Sequence, residues 1–119
     1  ELTFFIVSED VNSKAALQAI APNFIHSLDA AHMFMTLDEM VSQGIYSLSM
    51  IHDSYGCHAN YVDTMRDILR EKFVLIHSEN QLERFRQDVQ NQLGIMLPEV
   101  PETGGLNVSE VLKSDYFFA

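Results

Sequence analysis

Basic side chains are scarce in this sequence: seven Lys and Arg stand against seventeen Asp and Glu, giving a formal net charge of −10. Lys and Arg neutralising phosphates supply most non-specific affinity for nucleic acid, so this balance argues against a domain that grips DNA or RNA by charge alone. Cysteine is nearly absent too. The single Cys57 excludes an internal disulfide and fits a reducing compartment. No apolar run approaches the roughly 20 residues needed to cross a bilayer, and no basic segment of the signal-peptide kind opens the chain. A soluble protein with no membrane partner is expected. Internal repeats and low-complexity tracts are also missing.

What is present can bury one modest core. With 119 residues and 47% hydrophobic content, residues 1–119 read as a single folded unit. The chain starts at Glu1 and closes on Asp115-Tyr116-Phe117-Phe118-Ala119, where fraying ordinarily favours polar residues. That ending implies docked aromatics and a unit belonging to something larger.

Along the chain, Leu2–Val7 suits a buried strand and Ser8–Lys14 a turn. Pro22-Asn23 is expected to interrupt any helix over Ala15–Ile20, because the residue before a proline is pushed out of the α region. A second helix then spans about Phe24–Gln43 and stops at Gly44, its apolar face being Ala30, Met33, Leu37, Met40 and Val41. Tyr46–Ile51 alternates large apolar with small residues, the pattern of a strand packed on one face, and Gly56 is the expected turn residue. Asn60, followed by Asp63, marks a helix start, and Val62, Met65, Leu69, Phe73 and Ile76 continue it. Leu82, Phe85, Val89 and Leu93 define another helix, ending at Gly94 and expected to form a helical hairpin with the first. Pro98, Pro101, Gly104 and Gly105 mark an irregular segment before a short helix from Asn107 or Ser109 toward Lys113. The expected class is α+β, with a small antiparallel sheet or hairpin covered by helices.

The segment Ile51-His52-Asp53-Ser54-Tyr55-Gly56 carries the most chemistry. An acid where a strand runs into a turn is held by sheet backbone yet projects past it, within reach of a cation. The plainer reading, an Asp that only bonds its own turn, outweighs this on the dipeptide alone, since one carboxylate does not make a metal site. His52, Asp53, Cys57 and His58 offer zinc-type donors, but their spacing fits none of the usual paired-ligand patterns. His26, Asp29 and His32 form an HxxDxxH run. At about 100° per residue His26 and His32 stand roughly 120° apart on a helix, a functional face at most and not a chelate.

Ala21-Pro22-Asn23-Phe24-Ile25-His26-Ser27-Leu28-Asp29-Ala30-Ala31-His32, then His52-Asp53-Ser54-Tyr55-Gly56-Cys57-His58-Ala59, resemble the single-subunit, bacteriophage-type DNA-directed RNA polymerases. The ending Ser114-Asp115-Tyr116-Phe117-Phe118-Ala119 is similar to that family's C-terminal foot. The resemblance covers about Asn12 to the end, with Leu2–Val7 looking like the preceding strand. It implies the C-terminal part of a longer polymerase, carrying palm motif C and the C-terminal extension.

On that resemblance Asp53 is one of two carboxylates that bind catalytic Mg²⁺ ions, His52 supports it, and His26 faces the minor groove of the template–RNA hybrid. Phe118 and Ala119 would lie near the active site. The implied partners are DNA template, RNA product, nucleoside triphosphates and the remainder of the polymerase chain, and the fragment alone is expected to be inactive and to self-associate. The second carboxylate, from motif A, and the nucleotide-holding helix of motif B find no counterpart here. The sequence departs from the family at Ala15-Ala16-Leu17, where basic or polar residues are common, and at Cys57, where threonine is frequent. The implied location is the cytoplasm of a host cell for a phage or prophage source, with an organelle as the alternative. A non-catalytic binding or assembly fragment that keeps the fold is the alternative function.

Overall fold

A computed structural model describes residues 10–117. The expected strand Leu2–Val7 and the terminal Phe118 and Ala119 lie outside the described residues. The architecture is α+β, with three α-helices, two 3₁₀ helices and one two-stranded antiparallel sheet among the described residues. A Cα radius of gyration of 18.8 Å exceeds the roughly 13.5 Å of a compact domain this size.

Helix α1 spans Ser13–Ser42 without a break, so Pro22 lies inside it and does not divide it. Proline removes one N–H and crowds the carbonyl four residues back, a cost of about 3 kcal/mol in a helix interior. Residues 13–22 are all exposed, however, so water can satisfy the freed Gln18 carbonyl. The Asn12 side chain caps the start, accepting from the Ala15 N–H at 3.0 Å. The most buried positions of α1 are His32, Thr36 and Met40. Its inward stripe therefore runs one position away from the expected one, and Val41 is exposed.

Gly44, with φ of 80°, turns the chain out of α1, and Ile45 drops into the core. Strand β1, Leu48–Ile51, pairs with β2, Ser54–Cys57, in the register Leu48↔Cys57, Met50↔Tyr55 and Ile51↔Ser54. The turn residues are thus His52 and Asp53. Gly56 sits within β2 opposite Ser49 and not in the turn, and an added Cβ would meet the Ser49 carbonyl at an ordinary contact distance of 3.4 Å.

A 3₁₀ turn at Ala59–Tyr61 absorbs Asn60, and α2 begins two residues later than expected, spanning Val62–His77 with Asp63 in its first turn. Met40, Ile45, Met65, Ile68 and Leu69 form the core cluster, against which Leu48, Tyr55 and Cys57 of the hairpin pack. Lys72 of α2 meets Glu39 of α1 at 2.8 Å, and this hydrogen-bonded cation holds the Glu39 carboxyl below its ordinary value.

Helix α3, Gln81–Leu93, starts at an Asn80 cap and ends at Gly94 in the left-handed region, as the sequence indicates. It buries no residue and does not lie along α2, so the helical hairpin is not formed. Its aromatic contact is with α1, Phe85 to Phe24 at 5.3 Å between ring centroids. A 3₁₀ helix, Val108–Lys113, capped by Asn107, returns to α2, where the buried Arg70 guanidinium donates to the Ser114 carbonyl at 2.5 Å. Phe117 then packs edge-on against Phe73 at 4.8 Å. The chain's end does dock, at least as far as Phe117.

His77 packs against Phe73 with tilted rings 4.3 Å apart, and burial, then the neighbouring His32, hold its pKa below the ordinary histidine value while Asp29 opposes them. A base with a depressed folded pKa contributes stability that is complete above its unfolded pKa, about 6.5, and is lost as pH falls through the folded value. Lowering the pH from about 7.5 to about 5.5 should therefore lower the melting temperature of the parent more than that of His77→Gln. Equal slopes in calorimetry would show that His77 does not supply this dependence.

Candidate active site

The hairpin loop contains only His52 and Asp53, between the Ile51↔Ser54 pair. A two-residue connection needs a turn whose twist matches the strands, and both suitable types place the first loop residue at positive φ. His52 has φ of 54° and is the non-glycine residue with positive φ among those described. Of the two types, positive φ at the first loop residue and not the second matches type II′, where glycine is usual. An imidazole therefore sits where backbone sterics favour no side chain, at a cost of about 1–3 kcal/mol. Asp53 follows at the tip, exposed to solvent.

Met50 and Tyr55 share the inner face of the hairpin, so its loop end is pressed toward α1. There His26, Asp29, Ala30 and Met33 of α1 face Met50, Ile51, His52 and Asp53 across a groove of about 920 Å³. The helical period explains the α1 side, since His26 and Asp29 stand three residues apart and Ala30 and Met33 extend the same face. The fold thus brings His26, His52 and Asp53 to one groove although 26 and 53 are remote in sequence. Asp53 also borders a second depression of about 480 Å³, with Tyr55, Met65 and Arg66.

The HxxDxxH run divides as its angular spacing requires. His26 and Asp29 are exposed on the groove, whereas His32 points inward and is 5% exposed. Its Nε2 lies 2.8 Å from the Leu69 carbonyl, and its Nδ1 lies 3.4 Å from the Tyr55 hydroxyl. A carbonyl only accepts, so Nε2 carries the proton in this contact and Nδ1 is left to accept from Tyr55. Tyr55 has its pKa raised by burial first and then by the negative charges of Asp29 and Asp53, so its hydroxyl stays a donor.

Among the described residues the groove lining includes two carboxylates and no Lys or Arg. Asp29, noted in the sequence as the centre of the HxxDxxH run, stands one helical turn after His26 on this groove. Cys57 packs against the core, and burial raises its thiol pKa, which disfavours a thiolate ligand. Among the described residues no three His, Cys, Asp or Glu side chains converge on a common point, so the zinc-type set is not assembled. For a hard divalent ion, an exposed carboxylate at a braced turn is a suitable single oxygen donor. Asp53 fits as one ligand of a site whose remaining oxygens come from elsewhere. Phe118 and Ala119 lie outside the described residues, and no described helix is long and apolar enough to cross a membrane.

Residues 4–97 match the family described as DNA-dependent RNA polymerase. The chain is 42% identical over 121 residues to DNA-directed RNA polymerase 1A of Nicotiana tabacum, covering 98% of this chain and 76% of that protein. It is also 42% identical to DNA-directed RNA polymerase 1, mitochondrial, of Nicotiana sylvestris, covering 98% of this chain and 12% of that protein. With the mitochondrial DNA-directed RNA polymerase of Schizosaccharomyces pombe identity is 36% over 148 residues, covering 98% and 13% respectively. The chain thus spans about an eighth of the length of the two mitochondrial relatives.

The strained loop supplies a stability test. His52→Gly should melt no lower than the parent, because relief of positive φ offsets glycine's entropic cost of about 0.5–1 kcal/mol. His52→Val should lose about 1–2 kcal/mol, since a branched Cβ is least tolerated there. Urea unfolding that ranks valine above glycine would remove the strain from His52.

Proposed function

The chain belongs to the DNA-dependent RNA polymerase family, and on that premise we propose that it is the C-terminal catalytic-site portion of a longer single-subunit polymerase. In the intact enzyme it would take part in template-directed RNA synthesis from nucleoside triphosphates. The observation that carries this reading is the groove shared by His26 and the His52-Asp53 turn. Residues 1–119 would act there as one unit. The organelle named for two of the relatives, the mitochondrion, is the compartment proposed for it.

In this reading Asp53 holds catalytic Mg²⁺ jointly with a carboxylate outside the chain. Two such ions, when bound, supply a more acidic attacking hydroxyl and stabilisation of the leaving pyrophosphate. The chain's own contribution is positional and electrostatic. The two-residue loop limits Asp53 to a narrow set of directions, and His52, at the neighbouring loop position, would support it. His26, one wall away, meets the minor-groove edge of the hybrid. With no cation in the lining, the groove favours sugar and base edges that can donate hydrogen bonds over bare phosphates.

Apolar side chains left exposed on α3 and beyond it, Leu93 at 64% and Met96 at 89%, fit burial against the remainder of the polymerase. The same surfaces would drive self-association of the chain alone, and one carboxylate without its partner would leave it inactive. Phe117 is docked on Phe73, and the resemblance assigns the Phe118 and Ala119 that follow it a role near the active centre.

Asp53→Asn in the full polymerase should lose several orders of magnitude in RNA synthesis while keeping the parent's melting temperature, because an amide neither offsets metal charge nor ligates a hard cation well. His52→Ala should be milder. RNA synthesis near the parent rate by Asp53→Asn would favour a non-catalytic assembly role instead. A short Gly-Ser extension after Ala119 should likewise impair synthesis far more than melting, and an unchanged rate would remove the C-terminus from the site.

A further inference from the structure

We propose that His32 is a positioning residue for the candidate active site, fixing the Asp53 loop against the α1 face that carries His26. This rests on the proposed role of Asp53. No chemistry at the groove reaches His32, which is 5% exposed, yet its polar atoms face two other elements. Nε2–H donates to the Leu69 carbonyl of α2 at 2.8 Å, and Nδ1 faces the Tyr55 hydroxyl of β2 at 3.4 Å. The ring edges also meet Tyr55 and Phe73, with centroids 5.9 and 5.8 Å away.

The Leu69 carbonyl lies within a helix and already has the N–H four residues on as its partner, so the bond from His32 uses its second lone pair. Helix α2 needs no such bond to form. What the bond adds is registry between α1 and α2, and through Tyr55 the hairpin is set in the same frame. Tyr55 pairs with Met50 and stands two residues after Asp53. A shift at His32 is therefore passed to the loop tip through two residues of extended backbone. An aliphatic residue at 32 would pack but would allow α1 to slide against α2, changing the separation of His26 and Asp29 from His52 and Asp53.

Four variants of the full polymerase test this: His32→Leu, His32→Asn, His32→Gln and, in parallel, Asp53→Asn. Leucine keeps apolar bulk and loses both bonds. Asparagine reaches only the Nδ1 position, whereas glutamine extends an amide N–H to the place of Nε2. Hydrogen exchange over residues 48–57 reports anchoring of the hairpin, and the Mg²⁺ concentration for half-maximal RNA synthesis reports the placement of Asp53.

Leucine and asparagine should speed hairpin exchange and raise the Mg²⁺ half-saturation about fivefold, the loss of one net hydrogen bond, with glutamine restoring both. A merely structural role would lower the melting temperature and leave the Mg²⁺ requirement unmoved, which overturns the proposal, as does glutamine behaving like leucine. If the leucine variant does not fold, the asparagine and glutamine pair decides on the same two readouts. Asp53→Asn separates the failures: parent-like synthesis by it removes the polymerase reading of Asp53, whereas a dead Asp53→Asn beside a parent-like His32→Asn removes the positioning role alone.

Discussion

Two strands of four residues each cannot hold themselves in water, because an isolated hairpin buries too little apolar surface to offset the entropy of ordering its backbone. The location of Asp53 is consequently borrowed from the helices behind it. Met40 and Ile45 from the end of α1 and the turn after it, with Met65, Ile68 and Leu69 from α2, make the surface on which Leu48, Tyr55 and Cys57 rest. Everything that gives the loop a direction follows from this support: the inward face of the strands, the outward loop tip, and the groove between the tip and α1. Burial of this kind fixes depth and orientation well. Sliding along the helix axis is fixed poorly by apolar contact, which is where directional bonds such as His32 to Leu69 matter.

How much of this could be read from the residues divides along the same line. The strand ending at Ile51, expected from Tyr46 and formed from Leu48, the stops at Gly44 and Gly94 and the helix start at Asn107 depend on local sterics and hydrogen bonding, which is why the sequence shows them. Asp53 at a strand exit was legible for the same reason. The turn itself was not, because Gly56 is the better turn residue by propensity while the pairing of Met50 with Tyr55 requires His52 to take the positive φ. Registry across strands overrode local preference. Pro22 is the converse case: a local breaker tolerated because the helix face around it is solvated and the helix is long on either side.

Buried polar groups were the least legible. Hydrophobic spacing placed the inner face of α1 on Ala30, Met33 and Leu37, whereas the deepest positions besides Met40 are His32 and Thr36. Arg70 is similarly concealed in α2, bonded to the Ser114 carbonyl. His32 meets partners from two other elements and Arg70 the Ser114 carbonyl, whereas Thr36 Oγ1 and Arg70 Nε have no hydrogen-bond partner among the described residues, and partners remote in sequence leave no periodic trace. The grouping of His26 with Asp53 is of this sort too. Family resemblance supplied their proposed roles, but their common groove depends on the packing of α1 against the hairpin.

The charge balance gains meaning from that groove. A chain with net charge −10 has little to attract a polyanion, and Asp29 and Asp53 intensify the repulsion where the proposed site lies. Repulsion at short range acts on phosphates and not on hydroxyls or base edges, so it selects which side of a nucleic acid the groove can face. It also makes the site dependent on cations supplied from outside the chain, whether metal ions at Asp53 or Lys and Arg on neighbouring parts of the enzyme. An acidic C-terminal portion therefore suits a polymerase only if the attraction that retains the template arises elsewhere. The same acidity would then discourage phosphates from occupying the proposed metal-binding turn in unproductive orientations.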